Sequence, residues 1–248
     1  MVKVINPTEK QGIKKYFSSI STQKNTPTIA RRGIDAKPLL LELFCGTHSV
    51  GNVARRMGWE VVSLDWREET KATLIQDIMT FSSDSFEKIY GKPDVIWASP
   101  DCTQYSCILN TMPHIKRDLK TSNAMVRKVL AIIDELKPTF HFIENPSTGL
   151  LKKQSFMRHI PRKQVSYCRY GFPCKKSTLI FGTIQRLRLR RCISSDGFCS
   201  DKQKYGKHIQ SIGDNSVKQM SRKDRLRIPA ALIEHILTSC RLHVPPLH

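Results

Sequence analysis

Three stretches of the chain set residue types at spacings that suit ligand chemistry. In LELFCGTHSVGNVARRMGW an apolar run passes through a turn containing Gly46 and Gly51 into a helical pattern. Glycines let a backbone approach a ligand closely, and a helix N-terminus offers free N–H groups and positive potential. Asp65 ends the next apolar run, near the ~20-residue interval at which an acid receives ribose hydroxyls, and Asp77 follows in LIQDIM. A pyrophosphate site would want G-x-G-x-x-G, and His48 stands where the second glycine would be, which favours a ligand without a pyrophosphate. The second stretch is WASPDCTQYS, whose Cys102 closes another apolar run; such a thiol is a nucleophile in the right setting and a small buried hydrophobe otherwise. The third is FIENPSTG, where Glu144 and Asn145 precede Pro146 and, taken alone, read as a turn.

Elements that could position these residues alternate along the chain. Apolar, β-prone runs at 39–44, 60–65, 94–99, 140–145 and 177–183 are separated by helical patterns, which predicts an α/β fold with a mostly parallel sheet flanked by helices. One helix is expected after Ser122 or Asn123 as N-cap, with Val126, Val129, Leu130 and Ile133 inward, ending before Pro138. Another should begin near Pro229 and bury Leu232, Ile233, Ile236 and Leu237. The expected organisation is a flexible basic arm over 1–37, a catalytic and cofactor-binding domain over 38–183, a short basic recognition region over 184–227, and a terminal helix over 228–248 that returns to the domain.

At 248 residues the chain can bury one sizeable core, and no apolar run approaches the ~20 residues of a membrane span. No secretory leader is evident at the start, so an intracellular protein is expected. Eight cysteines without a CxxC pair suit reduced thiols. The formal charge is +20 and unevenly spread: residues 1–151 hold 20 basic and 16 acidic side chains, residues 152–248 hold 21 and 5. A field so one-sided suits a polyanion, because phosphate neutralisation releases counterions.

Taken together and in order, FCGTHSVG, WASPDCTQYS, FIENPSTG and YCRYGFPCKKSTLIFGT resemble the signature motifs of the DNA cytosine carbon-5 methyltransferases, in particular short viral and phage members. The resemblance implies a Rossmann-like fold and S-adenosyl-methionine as cofactor. Phe44, Gly46, Gly51 and Pro100 would surround the cofactor, with Asp65 on its ribose, Trp66 near its adenine and Asp77 on the adenine amino group. Cys102 matches the nucleophile, and Glu144 with Asn145 matches the pair that grips the target base. The residue types make chemical sense: a thiolate adding to carbon 6 turns carbon 5 into an enamine-like nucleophile, and an acid at ring nitrogen 3 meets the charge that develops. Arg169, Lys175 or Lys176 would help keep the thiol ionised, and all three are also expected to contact the nucleic acid. Two positions depart from the family pattern. Asp101 replaces the usual proline and sets a carboxylate beside Cys102, and Pro146 stands where the larger branch has valine.

Double-stranded DNA is the expected partner, with the target base flipped out of the stack. IQRLRLRRC supplies Arg186, Arg188, Arg190 and Arg191 for phosphates, on the expectation of a strand that turns all but one to the same face. The recognition region is short, which implies a short target site. Cys192, Cys199 and His208 could bind zinc, but their spacing fits no standard finger, a fourth ligand is not evident, and no metal is assigned. Ile13, Tyr16 and Phe17 in IKKYF match the apolar core of a sliding-clamp-binding motif, with Gln11 one step out of place. The expected location is the nucleus or a viral replication site for a eukaryotic virus, and otherwise the cytoplasm. Two alternatives stand beside this reading: an RNA (tRNA) cytosine methyltransferase with the same motifs, and a catalytically weak or inactive DNA-binding module.

Overall fold

The computed structural model describes residues 36–112, 114–208 and 221–241. Seven strands form one sheet: β1 (Leu39–Leu43), β2 (Glu60–Asp65), β3 (Leu74–Ile75), β4 (Val95–Ala98), β5 (Phe140–Pro146), β6 (Arg162–Ser166) and β7 (Ser177–Gly182). Their order is β3-β2-β1-β4-β5-β7-β6, parallel from β3 to β5, with β7 antiparallel to both β5 and β6. This is the mostly parallel sheet flanked by helices that the alternating pattern predicts, in the Rossmann-like form that the motif resemblance implies. Every residue of β1 is buried, because helices cover both faces of a central parallel strand.

The two sheet faces carry separate cores, as side chains alternate along each strand. Leu41, Leu43, Ile96 and Ile143 point to one face, where they meet Val126, Val129 and Ile132 of helix α3 (Leu119–Leu136). Leu40, Trp97 and Phe142 point to the other. There they meet Val50, Val53 and Ala54 of α1 (Ser49–Arg56) and Leu232, Ile233, Ile236 and Leu237 of the last helix. Short helices α2 (Ser83–Tyr90), α4 (Ser200–Tyr205) and α5 (Arg222–Leu226) precede that final one, α6 (Ala230–Arg241), which follows Pro229 as expected.

The structure corrects several expectations. Helix α3 begins earlier than Ser122, because Asp118 is the N-cap and its Oδ1 accepts the Thr121 N–H at 3.0 Å. Ser122 is buried inside the helix and Asn123 donates to the Gln154 side chain. The helix does stop before Pro138, with Lys137 left-handed. Strand β3 is too short and β6, RKQVS, too polar at its start to stand out in sequence. Residues 186–191 form no strand, although Arg186, Arg188 and Arg190 are exposed while Leu187 is buried. The clamp-like run at Ile13, Tyr16 and Phe17 lies outside the described residues. Among the described residues no helix is long and apolar enough to cross a membrane.

Candidate active site

The sheet order reverses between β1 and β4, and the crevice beyond the strands' carboxyl ends at such a point is where open α/β sheets bind ligands. The turn after β1 is held in an unusual conformation, with Phe44, Gly46 and His48 at φ of 59°, 46° and 55°. Such values cost a non-glycine residue on the order of 1 kcal/mol or more, so the surroundings must over-determine them. They do so through Glu42, buried in β1, whose Oε1 and Oε2 accept the N–H groups of Val50 (3.2 Å) and Gly51 (3.1 Å) at the start of α1. Burial pushes the Glu42 carboxyl up to about 7 despite those donors. A side chain at Gly51 would put its Cβ 2.5 Å from Glu42 Oε2, which explains the glycine there.

On β2, the Asp65 Oδ2 accepts the Gly46 N–H at 2.9 Å, and Arg67 grips both oxygens at 3.1 and 3.3 Å. Burial alone would raise this carboxyl, but the Arg67 and backbone donors together hold it below its ordinary value. Trp66 beside it, just past the end of β2, is 69% exposed, an indole without cover. Asp77 is exposed, and its Oδ1 accepts the Met79 N–H at 2.9 Å.

Beyond β4 the chain passes through buried Pro100, whose carbonyl accepts from Asn145 Nδ2 at 3.2 Å. This bond ties the end of β5 to the cysteine loop. The loop is anchored again by Tyr105, which is fully buried, bonds Asn123 through its hydroxyl at 2.9 Å and takes the Leu150 N–H on its carbonyl at 2.8 Å. Arg117 donates to the carbonyls of Gln104 and Ser106. Cys102 is left half-buried between the two anchors. Its thiol is pushed up to about 11, first by burial, then by the Glu144 and Asp101 carboxylates, with Lys176 pulling the other way. Asp101 does not face the thiol squarely: its Oδ1 accepts from the Thr103 N–H (3.1 Å) and hydroxyl (2.7 Å). Glu144 is buried and receives the Tyr167 hydroxyl on Oε1 at 2.8 Å, and the Lys176 ammonium lies 4.9 Å over the Tyr167 ring.

No family model matches the chain. A curated protein of Frog virus 3 (isolate Goorha), a probable DNA (cytosine-5)-methyltransferase, is 28% identical over 225 residues, covering 81% of this chain and 99% of its own length. By sequence, the chain is similar to that viral methyltransferase over nearly the whole of the viral protein. The resemblance read from four motifs is thereby borne out over most of the chain. Among solved structures it is similar to the Entamoeba histolytica methyltransferase EhMeth (TM-score 0.49, 11% identity, 83% of this chain and 98% of that one). It is also similar to the S. pombe Dnmt2 methyltransferase (TM-score 0.44, 13% identity, 59% of this chain), of which it spans about half, 49%.

Of the residues that the methyltransferase motifs single out, Gly46 and Asp65 are joined by a hydrogen bond at the ends of β1 and β2, Asn145 bonds the loop that carries Cys102, and Glu144 and Lys176 lie close enough to Cys102 for their charges to act on its thiol. Gly51 packs closely against Glu42 and Val61. Asn145, 1% exposed, holds the cysteine loop through the Pro100 carbonyl. Arg169 is turned inward, donating to the carbonyls of Phe198 and Asp196. Arg191 pairs with Asp196 at 2.7 Å, whereas Lys175, Arg186, Arg188 and Arg190 remain exposed. A cleft of about 490 Å³ opens where Thr47, Ser49 and Asn52 face Phe172, Arg227 and Pro229. A more apolar one, about 240 Å³, lies at the opposite end of β5 against Phe140 and Cys240. Sequence reading missed Glu42, Arg67 and Tyr167. The signals were an acid inside an apolar strand, a base two residues past Asp65, and the tyrosine that opens the YCRYGFP motif.

Proposed function

We propose that this protein transfers a methyl group from S-adenosyl-methionine to carbon 5 of cytosine in DNA, through a transient bond from Cys102 to a flipped base. The observation that carries the reading is the meeting of the Cys102 thiol with Glu144 at the ends of neighbouring strands β4 and β5, backed by Tyr167 and Lys176. The residues fit the cofactor. The uncovered indole of Trp66 suits an adenine face, Asp77 suits its amino group, the Gly46 turn admits close backbone approach, and Asp65 is an acid for ribose hydroxyls in exchange for Arg67.

When bound, S-adenosyl-methionine supplies an electrophilic methyl group. The chain's own residues do the rest. Cys102 loses its proton, with Lys176 the nearby positive charge, and its sulfur bonds to carbon 6. Glu144, held by Tyr167, donates at ring nitrogen 3 and receives the charge displaced from the ring. After carbon 5 gains the methyl group its proton passes to solvent water, the electrons of that carbon–hydrogen bond restore the carbon 5–carbon 6 double bond, the carbon–sulfur bond breaks to return the thiolate to Cys102, and the proton at nitrogen 3 returns to Glu144. The half-burial of Cys102 excludes part of the solvent that would compete for the adduct.

The test incubates the protein with labelled cofactor and DNA containing 5-fluorocytosine, with tRNA in parallel. The fluorine blocks the final proton loss, so a stable protein–DNA adduct that disappears in Cys102→Ser is expected. Transfer to tRNA alone would replace DNA by RNA as substrate, and DNA binding without adduct or transfer would leave an inactive binding module.

A further inference from the structure

Cys168, Cys192, Cys199 and His208 converge, although they come from separate places in the fold. Cys168 lies in the turn after β6, Cys192 follows the arginine run, Cys199 caps the start of α4, and His208 follows the glycine that ends it. Their ligand atoms all lie within 4.8 Å of one another. His208 Nε2 is 3.5 Å from Cys168 Sγ and 3.4 Å from Cys192 Sγ. A tetrahedral zinc ion with bonds of about 2.3 Å to sulfur and about 2.0 Å to nitrogen sets a sulfur–nitrogen edge of about 3.5 Å and a sulfur–sulfur edge of about 3.8 Å. The two sulfur–nitrogen distances match that edge, and three soft thiolates with one imidazole are a zinc donor set.

The surroundings are built for such a site. The Cys199 N–H donates to Cys192 Sγ at 3.3 Å, and the Cys192 N–H donates to Ser166 Oγ at 3.0 Å. Outer bonds of this kind orient metal ligands. Arg169 braces the loop through the carbonyls of Asp196 and Phe198, and Arg191 closes it on Asp196. From 188 to 208 the only buried residues are Cys192 and Cys199 themselves, so this segment has no apolar core of its own. A segment that small needs a staple to hold one conformation.

We propose that Cys168, Cys192, Cys199 and His208 form a structural zinc site that fixes the basic region to the catalytic sheet. Cys168 is the ligand that sequence spacing could not supply, because it lies in the turn between β6 and β7 rather than in the recognition region. Its neighbour Tyr167 bonds Glu144, so the metal also secures the turn behind the candidate acid.

The test uses the untagged full chain, expressed with zinc and purified under reducing conditions. Elemental analysis should find one zinc per chain, and X-ray absorption should find three sulfur neighbours and one nitrogen. Exchange for cobalt should produce the visible absorption of a tetrahedral thiolate site. Cys168→Ser and Cys199→Ser should lose most of the metal, while Cys107→Ser, at an exposed thiol outside the cluster, should keep it. If the cluster variants fail to fold, the absorption spectra of the unaltered chain decide. A folded chain without zinc, zinc retained at full occupancy in soluble Cys168→Ser, a shell lacking sulfur, or a disulfide among these cysteines in freshly alkylated protein would each overturn the site. None of these readings depends on methyl transfer.

Discussion

Cys102 has to lose a proton before it can attack, and its surroundings oppose that loss. Burial and two carboxylates hold the thiol near 11, and Lys176 is the opposing charge. A thiol alkylates in proportion to its ionised fraction, so modification of Cys102 by iodoacetamide, read by peptide mass spectrometry, should climb with pH up to about 11. Removing a positive neighbour raises the thiol further and removing a negative one lowers it. At a fixed pH below that value, Lys176→Met should slow the modification and Asp101→Asn speed it, each by roughly threefold. Equal rates in all three proteins would mean that neither charge reaches the sulfur. The same reasoning makes the unusual Asp101 a handicap to the resting enzyme, moderated because Thr103 occupies its Oδ1.

The strand–turn–helix unit formed by β1 and α1 depends on two residues facing each other across it. Gly51→Ala would drive a methyl group against Glu42 Oε2, with Val61 Cγ1 only 3.1 Å away on another side, so neither neighbour has room to give. A loss of about 1–3 kcal/mol in urea unfolding is expected, as for other overpacked sites. Glu42 also makes the unit sensitive to pH. Its folded carboxyl is raised to about 7, above the ~4.3 of an unfolded chain, so its contribution to stability is complete below the lower value and is lost as pH rises through the upper one. Glu42→Gln removes that titration. The variant should therefore gain stability relative to the unaltered chain between about pH 5 and pH 8, and a constant difference across that range would show that Glu42 does not titrate there.

Across the whole molecule, charge is the dominant feature. With a formal +20, concentrated after residue 151, the protein should bind duplex DNA with an affinity that falls steeply with salt. Arg186, Arg188 and Arg190 are exposed around buried Leu187, while Arg191 is committed to Asp196. Replacing the three exposed arginines by alanine should shrink the slope of log affinity against log salt by about 3, whereas Arg191→Ala should barely change it. Fluorescence anisotropy over a salt series checks both, and an unchanged slope in the triple variant would remove these residues from the interface.

Much of this was legible before any coordinates. The five apolar runs announced β1, β2, β4, β5 and β7 because strands buried on both faces must be apolar on both, and Leu232, Ile233, Ile236 and Leu237 announced the last helix because a helix buries one stripe. The order of motifs marked Cys102 and Glu144 as partners. What local patterns do not encode is which distant polar groups share a space. That Asn145 ties down Pro100 was decided by the pairing of β4 with β5, and that Tyr167 holds Glu144 and Cys168 completes a set with Cys192, Cys199 and His208 was decided by the antiparallel pairing of β6 and β7 beside β5. Hydrophobic periodicity is a property of neighbours along the chain, whereas hydrogen bonds and metal ligands are made between neighbours in space.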